Sequence, residues 1–403
     1  VNVSGAESAC IKGIIEAMPP IFQRELNAIP TTRIAKRRRS RGLIRDQTVF
    51  ITSLSFWFYA LYSVPMRNAI KLFLKRIASA AYRHAPSGLP HIFIHSTQRS
   101  GSTLLFDGIA SQPGMKAVGE PFEERKIRTV ERYIHRPRRR YYYLDDTTAQ
   151  ELRQYLDALL SGAFVGGFER TYNPLSVRHH RRTGRNVVKI LRTLGCTAWI
   201  AGSYRNAYHL LLVRHPIPTV QSRVRNHWEA PIEEFTSDHS LTAALSPEEL
   251  RAVKRLQDGT EFDRHLAVWL LEHRSVRTEF PRLRELGVYL LSYEHLVAEP
   301  EAAASWMSNT LQLPHLGLLH RQLASPSRST RHSTAETTQA INAGRRDELV
   351  GGWQKHVPTK ERYRVQEYLA CFDIPFYTAH EPFPRNPLDV PPWRAMNDSP
   401  AAP

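Results

Sequence analysis

One short stretch constrains the fold of this chain more than any other. The apolar run His91-Ile92-Phe93-Ile94-His95 has strand length and leads into Thr97-Gln98-Arg99-Ser100-Gly101-Ser102-Thr103-Leu104-Leu105, and residues 103–110 carry the pattern of a helix. A strand, a Ser/Gly-rich turn and a helix in that order turn backbone N–H groups and the positive end of a helix dipole toward an anion. Gly101 lets the backbone approach such a ligand, while Arg99, Ser100, Ser102 and Thr103 add donors. The plain alternative is a Ser-capped helix start after a loop. The turn has no GxxxxGK[ST] pattern and no Lys before Ser102-Thr103, which disfavours a nucleotide triphosphatase at this position.

Further apolar runs of buried-strand length follow at 186–191 (NVVKIL), 207–213 (AYHLLLV) and 287–291 (GVYLL), the last ahead of a helical pattern over 300–311. Strands separated by helices predict an α/β fold with a mostly parallel, P-loop-like sheet flanked by helices. Ala85-Pro86-Ser87-Gly88-Leu89-Pro90 reads as a linker. Three segments are therefore expected: an N-terminal helical extension (1–84), a main domain (85–378) and a Pro-rich, extended C-terminal tail (379–403).

The chain has 403 residues and a net charge of +17, which points to anionic partners. Residues 1–84 carry 14 basic and 4 acidic side chains, a net of +10, so most of the excess belongs to the extension. There Lys36-Arg37-Arg38-Arg39-Ser40-Arg41 precedes 19 uncharged residues, 48–66, that include Phe56, Trp57, Phe58, Tyr59 and Tyr62. The length is marginal for a membrane span, and the aromatic content suits contact with an anionic membrane surface equally; a core or dimer helix is the alternative. Cys10, Cys196 and Cys371 are too scattered for a disulfide framework or a zinc site. With no signal-peptide pattern, a cytoplasmic protein is expected, at or away from the membrane face.

A second anion-binding pattern lies over a hundred residues beyond the first. Arg214 ends the strand-like run 207–213, and Ser222 follows 8 residues later in His215-Pro216-Ile217-Pro218-Thr219-Val220-Gln221-Ser222-Arg223. A guanidinium and a hydroxyl brought together at a strand end and a helix start can hold one phosphate. Taken together, TQRSGSTLL resembles the 5′-phosphosulfate loop of sulfotransferases that use 3′-phosphoadenosine 5′-phosphosulfate (PAPS), and LLLVRHPIPTVQSR resembles their 3′-phosphate segment. His215 stands where the family commonly has Asp, and Ile217 where it has Arg. NVVKILR, Tyr293-Glu294-His295-Leu296 and Gly352-Trp353-Gln354-Lys355 are similar to further segments of carbohydrate-type and bacterial members.

The resemblance implies a sulfotransferase fold and transfer of a sulfuryl group from PAPS to an acceptor hydroxyl, with adenosine 3′,5′-bisphosphate (PAP) as product and no metal. It implies a nucleotide site of Gln98, Arg99, Ser100, Gly101, Ser102, Thr103, Arg214, Ser222, Trp353 and Lys355. The expected acceptor is a sugar, polysaccharide or glycolipid, and nucleic acid is not expected as a partner. Arg99 is the candidate for leaving-group stabilisation. Glu120, in Gly119-Glu120-Pro121-Phe122, is the candidate base: the 21 residues from Arg99 span one helix and one strand and return a carboxylate to the same sheet edge. The alternative for Glu120 is a surface ion pair with Arg125 or Arg128. His179 and His180 stand as alternative bases, and Arg136-Pro137-Arg138-Arg139-Arg140-Tyr141-Tyr142-Tyr143 is an acceptor-binding stretch or a surface loop. Two other classes are weighed against the enzyme: a basic nucleic-acid or acidic-polymer binder, and a P-loop kinase of a small molecule.

Overall fold

The computed structural model describes residues 83–84, 87–122, 133, 146–161, 182–327, 330 and 333–395. The chain divides into two units, Val1–Leu72 and Phe73–Pro403, and every described residue lies in the second. A short strand β1 (Arg83–His84) pairs in parallel with a later one, Arg182–Thr183, so the boundary expected at residue 84 falls inside that unit. The basic and aromatic stretch within residues 36–66, the acceptor-side stretch 136–143 and the His179-His180 pair lie outside the described residues. Among the described residues no helix is long and apolar enough to cross a membrane.

Five parallel strands make the central sheet: β2 (His91–Ser96), β3 (Met115–Gly119), β5 (Arg185–Ile190), β6 (Ala207–Val213) and β7 (Tyr289–Ser292), with Arg182–Thr183 as β4. Their spatial order is β3-β5-β2-β6-β7. Parallel sheets need both faces covered, and the strands read accordingly: β5 is buried along its whole length and β2 beyond its first residue. Alternate side chains go to opposite faces. Ile92, Ile94, Leu210 and Leu212 pack with Leu105 and Ile109 of helix α1 (Ser102–Ala110). Phe93 and Val188 pack instead with Leu152 and Leu156 of α2 (Asp146–Leu160) and Ile200 of α3 (Thr197–Ser203). Leu211 and Val213 join Val220 of α4 (Pro216–Arg225) and Trp269 of α5 (Glu261–Glu285), a helix opened by a Thr260–Asp263 capping box.

The topology fixes the site. The C-terminal ends of β2, β3, β5 and β6 deliver the 97–103 turn, Glu120, Leu191 and Arg214 to one edge of the sheet, where ligands bind in open α/β folds. The interval from Arg99 to Glu120 does span α1 and β3.

The C-terminal segment departs from expectation. It is not an extended tail over its described part: Ala379, Leu388 and Trp393 are buried, and Trp393 Nε1 and Arg394 Nε both donate to Glu299 Oε2. Proline excludes a segment from sheet ladders and helix interiors, but it does not keep neighbouring apolar side chains in water.

Candidate active site

The turn after β2 is braced from beneath. Ser100 is fully buried; its Oγ donates to the carbonyl of Thr97 (2.7 Å) and lies against Ser96 Oγ, whose own hydroxyl donates to the carbonyl of Leu212 on β6. Ser100 thus shapes the loop with its side chain and can offer a ligand only its backbone N–H. Gln98 acts in the same way: its carbonyl accepts from Arg223 Nε and Nη2 (both 3.2 Å), and Arg223 is locked in turn by a buried ion pair to Glu272 (2.8 Å). Neither Gln98 nor Ser100 lines the cleft; Arg99, Gly101, Ser102 and Thr103 do.

Gly101 caps α1 with φ 87°, and no side chain caps that helix start. A Cβ on Gly101 would sit 2.1 Å from Cδ2 of Tyr293, so the position excludes every side chain on steric as well as backbone grounds. Arg99 itself is held at φ 68°, a left-handed conformation that costs on the order of 1 kcal/mol or more outside glycine and is found at functional sites.

Arg99, Arg214 and Arg225 converge on this turn. Arg99 Nε donates to Ser222 Oγ (2.8 Å), and Arg214 Nη1 donates to the carbonyl of Arg99 (3.0 Å). Arg214 stacks over the Tyr293 ring at 4.1 Å, and Arg99 lies 5.7 Å from the centre of the Trp228 ring. None of the three guanidiniums holds an ion pair among the described residues, and the buried Arg214 Nε has no partner. Burial, and then the charges of Arg214 and Arg225, push Arg99 down to about 10. Such a cluster is electrostatically incomplete without an anion.

The opposite corner carries the carboxylate. Glu120 sits at φ 55° just past β3, its N–H donating to the carbonyl of Lys189 (2.8 Å). Lys189 Nζ donates to Glu120 Oε1 (2.7 Å) and to Thr103 Oγ1 (3.2 Å), and lies 5.6 Å from the Phe106 ring centre. Among the described residues this nearly buried lysine of β5 pairs with Glu120 and ties the carboxylate to the first turn of α1, while Arg125 and Arg128, the alternative partners, lie outside the described residues. Trp353 and Lys355, in the 3-10 turn Gly352–Lys355, line the cleft with Glu120. Its volume is about 720 Å³.

A model described as the sulfotransferase family matches residues 90–316, more than half of the chain. The chain belongs to the sulfotransferase family. Among solved structures, the sulfotransferase domain from the curacin biosynthetic pathway is 18% identical, with 72% of this chain and 99% of that one covered and a TM-score of 0.33. The sulfotransferase domain from the Synechococcus PCC 7002 olefin synthase is also 18% identical, covering 72% and 96% with a TM-score of 0.34. Mouse sulfotransferase SULT7A1 complexed with PAP is 12% identical, covering 73% and 88% with a TM-score of 0.34. No curated protein matches the chain.

In this sulfotransferase the sequence motifs left several cleft residues unassigned. Trp228 and Tyr293 line the cleft and meet Arg99 and Arg214 across 129 and 79 positions, Arg225 lines it with its charge acting on both arginines, and Lys189, outside that lining, meets Glu120 across 69 positions. A Lys inside an otherwise apolar strand run was the one signal available for Lys189, because a buried cation needs a partner. Much of the remaining wall comes from described residues between Ser325 and Leu349, among them Thr334, Thr337, Asn342 and Arg345. Among the described residues no group of three or more His, Cys, Asp or Glu could hold a metal ion.

Proposed function

We propose that this sulfotransferase moves a sulfuryl group from PAPS to the hydroxyl of a carbohydrate or glycoconjugate. The observation that carries the donor half is the trio Arg99, Arg214 and Arg225, which among the described residues pair with no carboxylate, around an uncapped helix start. The chain's groups fit a nucleotide bearing anions at both ends. The 97–103 turn and Arg99 face the 5′ side, and Arg214 with Ser222 face the 3′-phosphate, Arg214 still having an unused buried Nε. Trp353, which lines the same cleft, supplies an indole N–H without a partner, and Lys355 a further cation.

PAPS supplies a sulfuryl group already activated by its phosphate leaving group. Arg99 and the loop amides stabilise the charge that gathers on the leaving phosphate as the sulfur–oxygen bond breaks. Glu120 takes the proton of the acceptor hydroxyl as the new sulfur–oxygen bond forms. Lys189 positions both sides of that step, because one ammonium holds Glu120 and Thr103 together.

Isothermal calorimetry with adenosine 3′,5′-bisphosphate in the absence of magnesium tests the donor assignment. Micromolar binding supports it; preference for ATP-magnesium or for oligonucleotides overturns it. Contact with an anionic membrane surface through the basic run and residues 48–66 belongs to the same proposal and rests on sequence alone. Replacing Lys36, Arg37, Arg38, Arg39 and Arg41 by Gln should reduce partition onto phosphatidylserine vesicles, and unchanged partition would remove that part.

A further inference from the structure

His215 directly follows Arg214 and is completely buried. It serves as N-cap of α4, the helix that carries Ser222: its Nδ1 accepts the N–H of Ile217 (3.2 Å). With Nδ1 accepting, the proton sits on Nε2, which donates to the carbonyl of Thr378 (2.8 Å) in the C-terminal segment. Its backbone N–H donates to Glu294 Oε1 (2.9 Å), and Glu294 Oε2 accepts from the hydroxyl of Tyr377 (2.6 Å). The imidazole stacks on Trp353 at 4.4 Å between ring centres, with Tyr377 edge-on at 5.2 Å. One ring therefore touches the strand end bearing Arg214, the helix bearing Ser222, the cleft-lining Trp353 and the segment 377–378.

We infer that His215 is a positioning residue for the 3′-phosphate side of the cleft, and that it acts through Thr378, so the C-terminal segment is a working part of the donor site. This rests on the donor-site assignment made above. The two ring nitrogens have separable tasks. Nδ1 closes the helix start, a local contribution to stability. Nε2 fixes the plane of the ring, and that plane sets where Trp353 stands relative to Arg214. An acidic cap could satisfy Ile217 but has no proton to give the Thr378 carbonyl, which is the chemical difference that a histidine introduces here.

Two substitutions separate the tasks. In His215→Asn the side-chain oxygen can take the place of Nδ1 but cannot reach Thr378; in His215→Gln the amide can reach Thr378 in the manner of Nε2 but leaves the cap poorly made. Calorimetry with adenosine 3′,5′-bisphosphate and with adenosine 5′-monophosphate, together with thermal melts, gives the readout. His215→Asn should melt somewhat below the wild type, because the Thr378 carbonyl loses its donor, and should lose about tenfold in affinity for the bisphosphate with the monophosphate unchanged. His215→Gln should melt lower and keep the wild-type preference for the 3′-phosphate. Tyr377→Phe should shift the same preference in the direction of His215→Asn. If both His215 variants keep the wild-type preference, or if they lose affinity for the two nucleotides in parallel with melting temperature, His215 is only a structural cap and the inference falls. A wild type that ignores the 3′-phosphate would instead bring down the donor-site assignment itself.

Discussion

The two sides of the cleft are built on different principles. The anion side is cross-braced: Ser96, Ser100, Arg223 and Glu272 hold the turn from below, and Arg99, Arg214 and Ser222 bond to one another above it. On the carboxylate side, the support visible among the described residues is Lys189, reaching from β5 to Glu120 and Thr103. A preorganised receptor for charge gains from rigidity, since its dipoles cost nothing to reorient when charge develops. A proton acceptor needs only one group at one place. Substitutions on the carboxylate side should therefore change turnover and spare binding, whereas those on the anion side should change binding first.

The largest expected effect comes from Glu120→Gln, which keeps the shape and removes the basic carboxylate. Turnover should fall by about 10²–10⁴-fold while affinity for adenosine 3′,5′-bisphosphate stays unchanged. Steady-state rates with calorimetry check this, and a parallel loss of folding and nucleotide binding would make Glu120 structural. Next, Gly101→Ala must place a Cβ against Tyr293 in a left-handed backbone. Strain and overpacking together cost roughly 2–5 kcal/mol of fold stability, so the thermal melt should drop, and the turn that shifts to relieve the clash should bind the nucleotide more weakly. Arg214→Ala follows, losing a charge-assisted partner worth roughly 1.5–3 kcal/mol, about tenfold or more in affinity, with Ser222→Ala weaker. Equal relative affinity of both variants for nucleotides with and without the 3′-phosphate would contradict the place given to these two residues.

The fold and the anion side were legible in the sequence because their signals are contiguous. Residues 91–105 spell strand, turn and helix in one run, and β6 lies over 207–213 as its apolar run predicts. Ser100 shows the limit of that legibility. A Ser in such a turn reads as a ligand donor, yet Ser96 and the Thr97 carbonyl claim its hydroxyl in the core. The ion pair of Glu120 was not readable, because Lys189 lies 69 positions away and is brought near only by the β3–β5 pairing. Residues 379–395 misled through composition, since proline content reports on missing N–H donors rather than on burial.

Acid should lower the stability of the fold as a whole, by a smaller margin. His95, His215 and His273 are buried, and burial lowers all three, His215 to about 3 and His273 to about 4, as it also lowers His209, His265 and His295. Their folded values lie below the ordinary 6.5, so the unfolded chain binds more protons between those values. Stability is then full above about pH 6.5 and declines as pH falls toward 4. Urea midpoints at a series of pH values check the sign; a midpoint that rises on acidification would contradict it.

The central claim is best tested with radiolabelled PAPS over a panel of simple sugars, polysaccharides and glycolipids, wild type beside Glu120→Gln. The account predicts label on a carbohydrate hydroxyl, transferred without magnesium, and a rate lowered by about 10²–10⁴-fold in the variant at unchanged nucleotide affinity. Label reaching none of these acceptors while the wild type binds the nucleotide product, or equal transfer by the variant, would contradict it.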